Sequence, residues 1–137
     1  MVEYKHTVQY YETDKMGIVH HSNYIRWMEE ARVNFLDAIG ASYFELEQKG
    51  VISPVTAIDC KYKYSTRFPE VVTVEVSLLE YNGVRLRVNY VMKNSEGKTV
   101  FTGTSDHCFL DASGKIVRMD KDFPDYSNIL RRPENFG

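Results

Sequence analysis

The chain has 137 residues, which suits a single domain, residues 1–137, built around one core. Hydrophobic residues make up 43% and charged residues 26%, and 17 basic against 19 acidic side chains leave a formal net charge of −2, so nothing marks a nucleic-acid binder. The first residues hold no apolar run of leader length and no later run could span a bilayer, so a cytoplasmic setting is expected.

Residues 3 to 11 are rich in Tyr, Val and Thr and alternate weakly, which predicts a strand. A polar loop carrying Asp14 and Gly17 follows. From Ser22 to Ile39 the period changes: Tyr24, Trp27, Met28, Ala31, Phe35, Ala38 and Ile39 recur at steps of three and four, lining one face of a helix. Ser22 or Asn23 can cap its start, and Gly40 stops it. At about 1.5 Å per residue this helix runs roughly 27 Å, long for so small a domain. A short second helix is expected from about Ser42 to Gln48, ending at Gly50.

From Val51 onward the period is two. Ile58, Cys60, Tyr62 and Tyr64 face one way, and Asp59, Lys61, Lys63 and Ser65 the other. Val72, Val74, Val76 and Leu78 form the inner face of the next strand, and Asn82-Gly83 signals a hairpin. Val84, Leu86, Val88, Tyr90 and Met92 alternate with polar residues. A turn at Ser95–Lys98 leads into a last long strand, from about Thr99 to Leu110. Cys60 and Cys108 fall inside these alternating stretches, where a small buried hydrophobe is the ordinary role. Two cysteines supply neither a disulfide framework nor a metal site. The tail, with Pro124 and Pro133, is expected to be irregular, with one helical turn near Ser127 to Arg131.

Four long strands in succession, with no helix between them, require a largely antiparallel sheet. The apolar helix before them has to bury its stripe against it. The expected class is therefore α+β: a curved antiparallel sheet of about five strands wrapped around one long central helix. Open strand edges predict pairing of two subunits, at least a dimer.

Chemistry concentrates at the start of that helix. Asp14 stands just past the first strand, and Gly17 lets the backbone approach closely or take a positive φ. The helix points its unpaired N–H groups back toward this loop. A thioester carbonyl placed there would accept a hydrogen bond from the first-turn amides, with its carbon within reach of the Asp14 carboxylate. The competing role for Asp14 is simply to turn the loop.

The segment from Val8 to Arg32, through Tyr10-Tyr11-Glu12-Thr13-Asp14, Gly17, His20-His21 and Asn23-Tyr24, resembles the signature of the 4-hydroxybenzoyl-CoA thioesterase-like family. That family has the hotdog fold. The resemblance implies hydrolysis of an acyl-CoA or acyl-carrier thioester by a homo-oligomer, dimer or tetramer, without cofactor or metal. It matches Asp14 to the family's catalytic aspartate and the backbone amide of His21 to its carbonyl-polarising donor. The Tol-Pal-associated branch adds a histidine at the position of His21 and a tyrosine at that of Tyr10 as helpers. Asn23-Tyr24 matches the pair at the helix start, and with Gly17 is expected around the substrate. The family's frequent Tyr-Tyr-Glu-Asp-Thr-Asp sets its tyrosines one residue further from the aspartate than here. Its common Pro-Ala-Arg before the third strand is Ser65-Thr66-Arg67 in this chain. Ser65 and Arg67, with Lys63, are the expected contacts along the pocket.

Other polar residues carry weaker signals. His20 and His21 are adjacent and ill-suited to chelate one metal. His6 and His107 lie in strands with no argued role. Glu29 and Arg32, three apart on the helix, are expected to form an ion pair, with Glu29 or Glu30 the reserve acid–base group. Lys61, Lys63, Arg67, Arg85 and Arg87 either keep the sheet soluble or, near the pocket mouth, meet CoA phosphates. Two alternatives stand beside hydrolysis. An acyl-thioester hydratase or dehydratase typically needs Asp and His five apart, but Val19 occupies that place. A hotdog domain that only binds an acyl ligand has no need of a carboxylate beside a carbonyl.

Overall fold

A computed structural model describes all residues, 1–137. Strands β1 (Val2–Thr7), β2 (Val55–Tyr62), β3 (Val71–Tyr81), β4 (Arg85–Lys93) and β5 (Thr99–Cys108) form one sheet in the order β1-β3-β4-β5-β2. Every pairing is antiparallel. Helix α1 (Ser22–Ala38) packs on the β1–β3 side and α2 (Tyr43–Gln48) follows it. The tail adds α3 (Met119–Asp122) and α4 (Pro124–Leu130), more helix than the single turn expected near Ser127.

The core joins the two periodicities. Trp27, Ala31 and Phe35 of α1 are fully buried against Val72, Val74, Val76, Val88 and Met92 of the sheet. Each buried Val, Phe or Met among them contributes about 1.5–3 kcal/mol by leaving water. Ser42 caps α2 by accepting the Glu45 N–H at 3.3 Å. At the β3–β4 turn the Asn82 side chain accepts from Val84 and Arg85 N–H, as the hairpin signal predicts.

Several local expectations are corrected. The first strand ends at Thr7, and Tyr10–Glu12 is a 3₁₀ turn, because the Glu12 carboxylate accepts the Gln9 N–H at 2.7 Å and turns the chain. Helix α1 begins with His21 in the cap position, and neither Ser22 nor Asn23 caps it. The Ser22 hydroxyl pairs with His20 Nδ1 instead, and the Asn23 amide donates to the Glu12 carbonyl. Arg32 is buried with its guanidinium 5.5 Å from the Tyr43 ring centre, so the expected ion pair with exposed Glu29 is not made. Position 32 falls beside Ala31 and Phe35 on the inward face, which draws the side chain away from solvent.

The largest departure is β2. Its alternation predicts a buried face, yet Val55, Ile58 and Tyr62 are between 40% and 49% exposed. Strand β2 is an edge that pairs only with β5, while α1 covers the other side of the sheet. Helix α1 reaches it at its far end, where Tyr24 packs on Tyr62, and leaves the rest largely open. Cys60 is only half-buried for the same reason, and so is Cys108, opposite Arg85 near the end of β5.

Candidate active site

The loop between Thr13 and His20 is closed at its base. Thr13 and Val19 form an antiparallel bridge, and one residue further out on each arm the His20 N–H donates to the Glu12 carbonyl at 2.9 Å. Inside the loop the Asp14 N–H donates to Ile18 O at 2.9 Å, and the Gly17 N–H to Asp14 O at 3.0 Å. Gly17 takes φ +77, a backbone state that costs a residue with a Cβ about 1–2 kcal/mol. The Val19 N–H donates to Thr66 O at 2.9 Å, which fastens the loop to the segment after β2.

This frame leaves Asp14 on the wall of a cleft of about 280 Å³. One Asp14 oxygen accepts the Met16 N–H at 2.8 Å, so the carboxylate does turn the loop while also facing the cleft. His21, the cap of α1, lines the same space, and so do Lys63, Tyr64 and Ser65 from the chain leaving β2. The His21 backbone N–H has no acceptor within the protein, whereas its carbonyl accepts the Tyr62 hydroxyl at 3.1 Å. The convergence is therefore one carboxylate, one open backbone donor at the positive end of a 17-residue helix, and an aromatic wall.

The aromatic wall is packed rather than loose. Tyr24 stacks on Phe101 at 5.2 Å and meets Tyr62 edge-on at 5.3 Å, with its hydroxyl paired to Thr66 Oγ1 at 2.8 Å. Burial raises the Tyr24 pKa. Partial burial, with Cys60 adjacent, pushes the Tyr62 hydroxyl up to about 12. Both hydroxyls are therefore protonated at neutral pH; they donate or polarise and do not act as bases.

Asp14, His21, Tyr24, Lys63 and Ser65 thus share one cleft. Gly17 and Arg67 meet at its loop, where Arg67 Nη1 donates to Gly17 O at a long 3.5 Å. Tyr10 and Asn23 are not brought there. Tyr10 is 76% exposed and packs edge-on against Phe68, and Asn23 is buried against Glu12. The sequence reading missed Tyr62, whose only signal was a tyrosine two residues before Tyr64. It also missed Glu12, a carboxylate two residues before Asp14. Three larger hollows, of about 520, 730 and 490 Å³, lie elsewhere. The first is crossed by the Arg87–Asp106 ion pair, the second lies beside the middle of α1 and the start of the six-residue α2, and the third lies over β1, β3 and the β4–β5 turn; none of them reaches the start of α1.

A five-stranded antiparallel sheet around one long helix, with an acidic loop at the helix start, defines a hotdog-fold thioesterase. The profile of the thioesterase-like superfamily matches residues 8–126, and the chain belongs to that family. A Bacillus subtilis protein named "Putative acyl-CoA thioesterase YneP" is 38% identical over 126 residues, 91% of each chain. The crystal structure of the DHNA-CoA thioesterase from Staphylococcus aureus superposes with a TM-score of 0.90 at 34% identity, covering 93% of this chain and 86% of that one. A hypothetical protein from Thermus thermophilus superposes with a TM-score of 0.87 at 32% identity, over 93% and 95% of the two chains. No helix is long and apolar enough to cross a membrane.

Proposed function

We propose that this thioesterase hydrolyses acyl-CoA in the cleft between the Asp14 loop and the start of α1. The observation that carries the reading is the shared cleft: the Asp14 carboxylate and the helix cap at His21 line one space of about 280 Å³. The thioester oxygen accepts the His21 N–H, which stabilises the negative charge that develops as the carbonyl carbon becomes tetrahedral. Asp14 either attacks that carbon directly or takes the proton from an attacking water. The C–S bond then breaks and CoA leaves as the thiolate; on the direct route the acyl group is left on Asp14 as a mixed anhydride, which water hydrolyses to the free acid and the regenerated carboxylate. Lys63 and Arg67, near the mouth, suit the CoA phosphates. The acyl group lies against Tyr62 and Tyr64, a wall for flat or apolar groups.

The same reading makes the protein a homo-oligomer. The β2 edge presents Val55, Ile58 and Tyr62 to solvent, and the chain beyond it lines the cleft. Pairing two β2 edges buries that apolar strip and covers the open side of each cleft.

A panel of aromatic and aliphatic acyl-CoA thioesters, followed by free-thiol detection, tests the activity with wild type and Asp14→Asn in parallel. The wild type releases thiol from at least one member and Asp14→Asn loses the rate. Full activity of Asp14→Asn overturns the assignment. Single turnover in ¹⁸O-labelled water tests the direct route, since label in the Asp14 carboxylate requires a mixed anhydride there, and trapping that anhydride identifies the route when water attacks its acyl carbon instead.

A further inference from the structure

One carboxylate outside the cleft is tied both to the loop that carries Asp14 and to the start of α1. Glu12 is buried, at 5% exposure, two residues before Asp14. One of its oxygens accepts the Gln9 N–H at 2.7 Å and pairs with His6 Nε2 of β1 at 2.8 Å. The other accepts the Trp27 indole N–H, from the second turn of α1, at 2.7 Å. Its backbone carbonyl accepts both the His20 N–H at 2.9 Å and the Asn23 side-chain amide at 2.8 Å. A single residue therefore joins β1, the base of the Asp14 loop and the first two turns of α1. Behind it, His6 Nδ1 lies 3.5 Å from Glu30, which also accepts the Tyr4 hydroxyl.

We propose that Glu12 is a positioning residue for thioester hydrolysis: its carboxylate fixes the Asp14 loop against α1, and so sets the Asp14 carboxylate relative to the His21 N–H. The inference rests on Asp14 and the start of α1 being the reacting centre. Three donors converge on the two side-chain oxygens, an arrangement only a carboxylate satisfies in full. An amide at this position has one acceptor oxygen, and its NH₂ must face either the Trp27 N–H or the pair formed by Gln9 N–H and His6. Burial is the largest single influence on the Glu12 carboxyl and raises its pKa. The hydrogen bonds from Gln9, His6 and Trp27 together outweigh it and hold the group below its usual range, ionised at neutral pH. A reacting group displaced by about 1 Å loses on the order of a hundredfold in rate, so a strained clamp is felt in kcat.

The chain holds a single tryptophan, so the Trp27 indole N–H gives one identifiable resonance in a ¹H–¹⁵N spectrum. Glu12→Gln is expected to keep the fold by circular dichroism and to move that resonance. Measured on the best acyl-CoA of the panel, its kcat should fall about tenfold to a hundredfold with KM within about twofold. Trp27→Phe, which removes one donor and leaves the carboxylate, lowers kcat about threefold. The double variant is no slower than Glu12→Gln alone, because the amide then meets no opposing donor. Three results overturn the proposal: a moved resonance with kcat within twofold of wild type, losses that multiply in the double variant, or a loss confined to KM. Should Glu12→Gln not fold, an unchanged kcat in Trp27→Phe overturns it equally. Asp14→Asn, run alongside, keeps the two questions apart. An inactive Asp14→Asn beside a fully active Glu12→Gln defeats only the positioning role, and an active Asp14→Asn removes the centre on which that role depends.

Discussion

Replacing Gly17 by alanine puts a methyl group on a backbone held at φ +77, three residues past Asp14. The added Cβ would lie 3.5 Å from Arg67 Nη1, an ordinary contact, so space is not the obstacle. The cost is then conformational alone, about 1–2 kcal/mol for an L-residue in the left-handed region. For a chain of this length the entropy of unfolding is about 0.29 kcal/mol per kelvin, so Tm should fall by about 3–7 °C. Gly83 is the internal comparison: it has φ +89, but a Cβ there would meet the Asp120 carboxylate at 2.5 Å. That carboxylate is held by Arg131 and Ser127 and cannot simply swing away, so Gly83→Ala should cost distinctly more. Thermal unfolding of both variants at one fixed protein concentration, with acyl-CoA hydrolysis measured well below Tm, separates the contributions. Gly17→Ala should also lose roughly tenfold or more in kcat, since relief of strain at residue 17 moves the loop that carries Asp14. Equal Tm losses at the two glycines would refute the claim that space distinguishes them. An unchanged Tm and kcat in Gly17→Ala would refute the strained loop itself.

Three further outcomes follow from the same geometry. His107 is buried, and burial first and the Arg32 charge second push its pKa down to about 4. The unfolded chain, at about 6.5, takes up this proton first, so the stabilisation is complete above about pH 6.5 and is lost as pH falls toward 4, by about 3 kcal/mol in all. His107→Gln should therefore flatten the acid limb of urea titrations in that window, and slopes identical to wild type would contradict it. Tyr62→Phe removes the donor to the His21 carbonyl and should lower kcat several-fold while Tm changes by less than about 3 °C, measured on the same acyl-CoA panel. Ile58→Lys places a charge on the exposed β2 edge and should convert the oligomer to monomer in light scattering, and an unaltered mass would refute pairing through β2.

The elements that the sequence made legible are those whose partners are repeated and local. Tyr24, Trp27, Ala31 and Phe35 declare a helix face because the period of 3.6 residues needs no knowledge of what lies opposite. Val72, Val74 and Val76 declare an inner strand face in the same way. Strand β2 has an equally clear alternation, but burial depends on what covers a face, and this edge strand meets α1 at Tyr62 and is left largely open elsewhere by its own chain. The Tyr10–Glu12 turn was hidden because its cause is a convergence of donors from positions 6, 9 and 27 on one carboxylate. Within the candidate site, Asp14 was readable from the loop–helix junction itself and His21 from the family resemblance. Asn23 fits the same junction, yet its amide is spent on Glu12, and Tyr10 is turned outward by the 3₁₀ turn that the strand pattern concealed. A short polar side chain at a helix start has several equivalent uses, and only the fold selects among them.

The strand order has a kinetic consequence. Strands β1 and β2 lie closest to the N-terminus yet occupy opposite edges of the sheet, while β3, β4 and β5 form a meander closed by short turns. Local closure favours the meander as the part that assembles early, with the two margins added once distant segments have found each other. Amide protection should accordingly be deepest in β4 and shallower in the two edge strands, one of which borders the candidate cleft.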